Sequence, residues 1–468
     1  MPELPEVETV VELLKPIIVG SSISSCDIFN KKMILSDINN FERDIKNKII
    51  TNVSRKGKFI IWHFEDHTVL ISHLRMEGKY IECGRADPIS PYARIVFHLN
   101  DGRKICFDDT RQFGIMQVSD ETRYLIEKPL CELGPEPFEV ENGEYLFNIY
   151  KKIKRPIKEV ILDQHILAGI GNIYADETLF RCKLHPLTPA NQLTIEDCNN
   201  IIKHSVDVLN KAIELGGSTI RSYHAAKGID GRFQNELLVY GQEGTLCRHK
   251  ICHARYKKIF VNGRGTTYCP VCQRKRNKPY IIGVTGVIGS GKSTACNIFA
   301  QNNIKVISAD NIVKELYAQN DIKEQVIGLL GPESYNGDQL NKQFISLKIN
   351  NNFNLKTALE NIIHPHVRKK IIDFINDNAN EKILVCEIPL LYESKMDDLM
   401  DATLAIEISY NDQVDNLRLR NSDVDQSLLL NKTNKFNNYK NKLTYLLKTE
   451  NKKSVLEDAI KKIINSID

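Results

Sequence analysis

Three groups of residues in this chain have types and spacings that suit chemistry better than packing. The first is Gly286-x4-Gly291-Lys292-Ser293. Glycines at that spacing let backbone N–H groups close around phosphate oxygens, the lysine meets the outer phosphates, and the serine hydroxyl can hold Mg²⁺. Gly286, Gly289, Ser290, Gly291, Lys292, Ser293 and Thr294 are therefore the candidate ATP-binding residues, with Mg²⁺ as companion to ATP. The bland alternative is a structural glycine turn. Asp310 ends the next strand-like stretch, VISAD, where a carboxylate can take the proton of an acceptor hydroxyl. That is kinase chemistry rather than nucleotide hydrolysis, unless the side chain merely caps the following helix.

The second group is Cys247-x4-Cys252-x16-Cys269-x2-Cys272, two close pairs of soft ligands that can wrap one tetrahedral Zn²⁺. Four protein ligands leave no open position for water, so the metal is expected to be structural. His249, at H-x2-C spacing from Cys252, is the alternative fourth ligand to Cys247. The third group is the Pro2-Glu3 start. Removal of Met1 exposes a secondary amine of pKa near ~8, able to attack a sugar carbon and form an iminium, with Glu3 moving protons beside it. Taken alone, a Pro-Glu start is more often a plain terminal loop.

These groups need scaffolds. After a helix in VETVVELLKPI, residues to about 135 read as short strands (KFIIWHF, TVLISHL, RIVFHL) with a hairpin at Asp101-Gly102. Helical spacing follows in IKEVILDQHILAGI and IEDCNNIIKHSVDVLNKAIEL, closing on Gly216-Gly217. Residues 236–276 are too few to bury a core and need the cysteines as a staple. After the basic linker QRKRNKP, strands (IIGVT, IKVIS, KILVCEIP, ATLAIEI) alternate with helices, the pattern of a parallel sheet covered by helices. The expected fold class is multidomain: a β-sandwich-like domain over 1–135, a helical domain over 136–235, a zinc-finger hairpin over 236–276 and an α/β phosphate-loop domain over 281–468.

Composition agrees. With 468 residues, 42% hydrophobic and 26% charged, the chain is too long for one core and too apolar for wholesale disorder. No apolar run approaches the roughly 18 residues of a membrane span, and the acidic start is not a secretory signal, so a cytoplasmic protein is expected, with dilute, reduced cysteines. The net charge of +4 hides a surplus of +8 within residues 141–276, while 277–468 sum to zero. A local surplus of that size suits a polyanion-binding face or a solvated basic surface.

The order of MPELPEVETV, SHLRMEGKY, DTRQFG, AGIGNIYADE, GGSTIR, GRFQNELLVYGQEG and GRGTTYCPVCQ resembles the formamidopyrimidine-DNA glycosylase family over residues 1 to about 274. The resemblance implies a DNA glycosylase/AP lyase that excises 8-oxoguanine and ring-opened purines from duplex DNA. It also implies a helix-two-turns-helix element in the helical domain. By the same resemblance Pro2 is the Schiff-base nucleophile, Glu3 the proton-transfer acid, and Lys58 the cation near the lesion phosphate. Met76, Arg111 and Phe113 would fill the void left by the everted base. Asn172 and Arg264 would hold DNA phosphates, and Ser218, Thr219 and Arg221 would belong to the loop over the base. The first knuckle departs from the family by two inserted residues.

GVTGVIGSGKSTACNIFA, VISAD, IIHPHVRKK and EIPLLYES in turn resemble dephospho-CoA kinase over residues 280–468, implying transfer from ATP to the ribose 3′-hydroxyl of dephospho-CoA. Asp310 is then the base, His364 and Arg368 lie in the acceptor region, and Arg420 is a lid arginine. The family's D-A-D reads Ser308-Ala309-Asp310, a lid arginine reads Asn416, and residues 422–440 lack an expected arginine and glutamine. The expected protein is a monomeric bifunctional enzyme. The alternative is a repair glycosylase whose C-terminal module only binds nucleotide or regulates.

Overall fold

The computed structural model describes residues 2–218, 232–249, 252, 254–275, 278–350, 352–418, 433, 436–449 and 453–467. Its contacts divide the chain into two compact units. One comprises residues 1–241 and 258–268, the other 242–257 and 269–468.

The first unit starts with helix α1 (Leu4–Ile18), whose Leu4, Val7, Val10, Val11, Leu14 and Ile18 recur at helical spacing and are buried. Its start is fixed by the Glu6 carboxylate, which accepts from the Glu3 backbone N–H at 2.8 Å, and by Pro5 in the first turn. Eight strands follow: β1 (Ile23–Ile28), β2 (Ile50–Lys56), β3 (Phe59–Phe64), β4 (Thr68–His73), β5 (Lys79–Cys83), β6 (Ala93–Leu99), β7 (Lys104–Asp108) and β8 (Ile115–Asp120), with helix α2 (Ile38–Ile45) after β1. They form two antiparallel sheets, β1-β6-β7-β5 and β2-β3-β4-β8. Trp62 of β3 is fully buried, with its ring centroid 5.1 Å from Phe97 and 5.5 Å from Tyr80. The Asp101-Gly102 turn does join β6 to β7, with Gly102 at φ +90°.

Four helices follow: α3 (Glu144–Tyr150), α4 (Ile157–Ile161), α5 (Asn172–Arg181) and α6 (Ile195–Glu214). The helical spacing read through 157–170 persists only to Ile161. Beyond it the chain turns, Gly169 adopts φ +94°, and its carbonyl accepts from the N–H of Leu4 at 3.1 Å. A long-range contact thus overrides the local period. Helix α6 opens on a reciprocal Thr194–Asp197 cap and ends at Gly216 and Gly217, both at positive φ. The unit also holds most of the hairpin β9 (Lys257–Val261) and β10 (Arg264–Tyr268), turned by Asn262-Gly263 at φ +47° and +72°.

The second unit is built on a five-stranded parallel sheet. Its strands are β11 (Tyr280–Thr285), β12 (Lys305–Ser308), β15 (Ile383–Glu387), β16 (Ala402–Glu407) and β17 (Tyr445–Lys448), in the order β12-β15-β11-β16-β17; the small hairpin β13 (Tyr335–Asn336) and β14 (Gln339–Leu340) lies apart. The three central strands β15, β11 and β16 are buried almost throughout, as expected of a sheet covered on both faces, while the edge strands β12 and β17 are only partly buried. Its described helices are α7 (Lys292–Gln301), α8 (Ala309–Tyr317), α9 (Asn320–Leu330), α10 (Lys342–Asn350), α11 (Phe353–Asp377), α12 (Tyr410–Arg418) and α13 (Lys453–Ile467). No described helix is long and apolar enough to cross a membrane.

Candidate active sites

The amino terminus is held inside the first unit. Pro2 and Glu3 are buried. The Glu3 carboxylate accepts from the backbone N–H groups of Ile173 (3.0 Å) and Tyr174 (3.4 Å) in the first turn of α5, where the helix dipole favours an anion. Gly171 is what permits this approach. A Cβ there would lie 2.1 Å from the Glu3 carboxyl carbon, and one at Gly169 would lie 2.3 Å from Leu4 Cδ1. Glu6, one turn on, gathers the Tyr174 hydroxyl (2.5 Å) and the backbone and side chain of Ser218 (2.8 and 3.0 Å). Burial, helped by the charge of Glu3, raises its pKa. Thr219 and Arg221 lie outside the described residues.

Lys58 occupies the two-residue turn between β2 and β3, beside Gly57 at φ +57°. The turn is pinned by Glu136, which accepts from the Gly57 N–H and from Arg55, and Arg55 in turn binds Glu8, each at 2.6 Å. The buried Lys58 ammonium donates to the Ile170 carbonyl at 2.8 Å. Burial lowers its pKa to about 8; the Glu3 charge opposes the fall and the Arg264 charge adds to it. His73 nearby is pushed down to about 3 by burial and by Arg75 and Lys58, so it stays neutral.

Asp109, almost wholly buried, shapes the D-T-R-Q-F-G turn by accepting from the N–H groups of Arg111 (3.0 Å), Phe113 (2.9 Å) and Gly114 (2.7 Å). The turn holds Phe113 out into solvent, 53% exposed, with the Arg111 guanidinium 5.1 Å over its ring. Met76 is likewise exposed at 38%. Asn172, the first residue of α5, donates from Nδ2 to the Gly265 carbonyl at 2.9 Å. Asp176, on the same helix, accepts from the Thr267 N–H (3.0 Å) and from Lys158 (2.5 Å), both side chains being buried. Burial raises the Asp176 pKa to about 6 and lowers that of Lys158. The hairpin bearing the exposed Arg264 is thereby tied to α5.

In the second unit Cys247, Cys252, Cys269 and Cys272 bring their sulfurs within 4.8 Å of one another. Cys247–Cys272 and Cys252–Cys269 stand 3.8 and 3.5 Å apart. A tetrahedron of Zn–S bonds about 2.3 Å long has edges of about 3.8 Å, so the four thiols fit zinc. His249 uses its carbonyl to accept from the Cys252 N–H at 2.9 Å.

Between β11 and α7, Gly286, Gly289 and Gly291 take φ of +134°, +80° and +94°, conformations that only glycine adopts freely. Lys292 Nζ donates to the Val287 carbonyl at 2.9 Å. Ser293 donates to Glu387, the last residue of β15, at 2.8 Å. Asn416 of α12 donates to the Gly289 carbonyl at 3.0 Å. Strand β12 ends at Ser308, so Asp310 lies in the first turn of α8, exposed; the cap position belongs to Ser308. His364 is half-buried on α11, and Arg368 forms a two-pronged pair with Asp398 at 2.9 and 2.7 Å. Arg420 lies outside the described residues.

Sequence reasoning assigns no role to several residues in these sites. Glu6, Tyr174, Lys158 and Asp176 work through partners up to 212 positions away. Asp109 had a local signal, since it opens the D-T-R-Q-F-G stretch; Glu387 had none.

Comparisons with known proteins follow this division. The family models for the formamidopyrimidine-DNA glycosylase N-terminal domain and its H2TH domain match residues 1–116 and 133–224, and that for dephospho-CoA kinase matches 280–444. The formamidopyrimidine-DNA glycosylase of Oceanobacillus iheyensis is 42% identical over 276 residues, 58% of this chain and 98% of that protein. Its counterpart in Streptococcus pneumoniae is 43% identical over 279 residues, 59% of this chain and all of that protein. A Lactococcus lactis mutant glycosylase complexed with Fapy-dG-containing DNA is 38% identical with a TM-score of 0.56, and the Lactococcus lactis enzyme on abasic-site DNA 37% with 0.54; each match covers 58% of this chain and 100% of that chain. Residues 1–276 are thus matched over essentially whole glycosylases, and the kinase sequence begins where they stop: the chain belongs to the formamidopyrimidine-DNA glycosylase family and carries a dephospho-CoA kinase domain behind it.

Proposed function

We propose that the first unit excises oxidised purines, 8-oxoguanine and formamidopyrimidines, from duplex DNA through Pro2. Once Met1 is removed, the proline nitrogen attacks C1′ of the damaged nucleotide. The C1′–N bond breaks, and the base leaves with a proton. The sugar ring opens to an iminium on Pro2, and loss of a C2′ proton expels the 3′-phosphate. Glu3 moves these protons, held in place by the first amides of α5. Lys58 supplies a cation next to Glu3. Evicting a base costs a few kcal/mol; Met76, Phe113 and Arg111 offset it by entering the stack. Asn172 and Arg264 hold the flanking phosphates. The four thiolates of Cys247, Cys252, Cys269 and Cys272 hold one structural zinc.

The second unit phosphorylates the 3′-hydroxyl of dephospho-CoA. The glycine loop and Lys292 bind the phosphates of ATP, Asp310 accepts the hydroxyl proton as the γ-phosphoryl moves, and His364 and Arg368 receive the acceptor. Ser293 and Glu387 are the residues to hold Mg²⁺, which neutralises phosphate charge when bound. Arg420 would steady the transferring group. These activities suit a cytoplasmic protein. The observation that carries the first half is the Glu3 carboxylate locked on α5 beside Pro2; that for the second is Ser293 facing Glu387 across a loop of three positive-φ glycines.

Borohydride trapping on 8-oxoguanine duplex tests the first: a covalent adduct is expected, and an unchanged yield after blocking the terminal proline would overturn it. For the second, ADP release must depend on dephospho-CoA. Absence of turnover with ATP still bound would refute it.

A further inference from the structure

The cysteine-bearing segments 242–257 and 269–275 pack in the same compact unit as the parallel sheet. The contacts are specific. The Arg255 N–H donates to the carbonyl of Thr444, the residue that leads into β17, at 3.1 Å. Thr444 in turn is cross-bonded to Thr403 of β16, backbone to backbone at 3.0 Å and through both hydroxyls at 3.1 Å. Lys257 Nζ donates to the carbonyl of Asp401, just before β16, at 2.8 Å. Lys275 pairs with the Asp401 carboxylate at 3.1 Å, and the same carboxylate accepts from the N–H of Ile281 in β11 at 3.0 Å. Arg274 donates to the Ile467 carbonyl at the end of α13. Tyr445, the first residue of β17, is buried beside Cys252, Cys269 and Cys272.

These two segments are short, 16 and seven residues. Their internal order comes from the thiol cluster and a few ladder bonds, such as Cys247 N–H to Ala254 (2.8 Å) and Tyr256 N–H to Thr245 (2.9 Å). Metal-ligand energy is folding energy in such a segment. The docking groups sit within a few residues of Cys252, Cys269 and Cys272, so whatever orders the thiols also orders the groups that grip β11, β16 and β17.

We infer that the zinc cluster is a structural part of the kinase unit: the metal that folds the knuckles also clamps the entrances of three strands of the kinase sheet, so its occupancy sets the stability of that sheet. The inference rests on the zinc reading above. Strand β11 runs directly into the phosphate loop, which makes the kinase sensitive to a metal that takes no part in phosphoryl transfer.

The test uses the full chain, with zinc content measured, and hydrogen exchange followed in peptides over 280–285, 402–407 and 445–448. Stripping zinc should speed exchange in all three by about tenfold or more, and restoring zinc should reverse it. Lys257→Met keeps the four thiols; it should retain zinc yet show the same acceleration, to a smaller degree. Unchanged exchange in these peptides after zinc removal, with only 258–268 losing protection, would overturn the inference and leave the zinc reading standing. A chain purified without zinc would overturn both.

Discussion

The two proposed active sites are assembled in opposite ways. At the glycosylase site the reacting group is packed: Pro2, Glu3 and Lys58 are buried, and Glu3, Lys58 and Glu6 each have a defined partner. At the kinase site the loop is preformed, but Asp310 stands exposed and Arg368 is engaged by Asp398. In the first, stability and catalysis draw on the same contacts. In the second they are separable, as befits a site that must admit two mobile substrates and close over them.

The largest expected effect is on the separable side. Asp310→Asn should lower dephospho-CoA-dependent ADP release by about 10³-fold while leaving ATP binding and the melting temperature unchanged. A drop in melting temperature would show that the exposed carboxylate also supports the fold. Gly171→Ala probes the packed side. With a Cβ 2.1 Å from the Glu3 carboxyl carbon, the clamp must open, so trapped adduct should fall by about 10²-fold and the melting temperature of that unit should fall with it, kinase turnover staying intact. Loss of one property without the other would break the contrast.

Acidity supplies a third test. Lys58 titrates at about 8 in the folded chain, so its cation is lost, and adduct formation declines, as pH rises through about 8. In the unfolded chain this lysine keeps its proton to about 10.4, so across that window the unfolded form binds more protons and the group's contribution to stability rises with pH. Trapping and melting followed over pH 7–10 should therefore diverge, and Lys58→Arg should move the decline of trapping to higher pH. The smallest effect belongs to Asp398→Asn. Freeing Arg368 should lower KM for dephospho-CoA by about threefold, at a stability change under ~1 kcal/mol for an exposed pair.

Residues that act through their own neighbours were legible in sequence. The glycine loop, the cysteine pairs and the Asp101-Gly102 turn are complete within a few positions, and the alternation of strands and helices after residue 280 follows from apolar period alone. What sequence could not show is partnership across the chain. Glu3 meets Gly171 because helical spacing fails after Ile161 and the chain turns back on α1, and Glu6 meets Ser218 because α6 ends at Gly216 and Gly217 against it. Glu387 was hidden for a simpler reason: a carboxylate at a strand end has no signature until the serine opposite is known. The cysteine segments read as a finger of the DNA-binding half, yet their contacts group them with the kinase sheet.

The chain has a single tryptophan, and it is Trp62, sealed between the two β-sheets of the first unit. Indole fluorescence therefore reports on the glycosylase alone, and the kinase is silent in that channel. Its tyrosines and its backbone still contribute to near- and far-ultraviolet dichroism. One sample, watched by emission and by dichroism together, can record two unfolding transitions separately, without cutting the chain or labelling it.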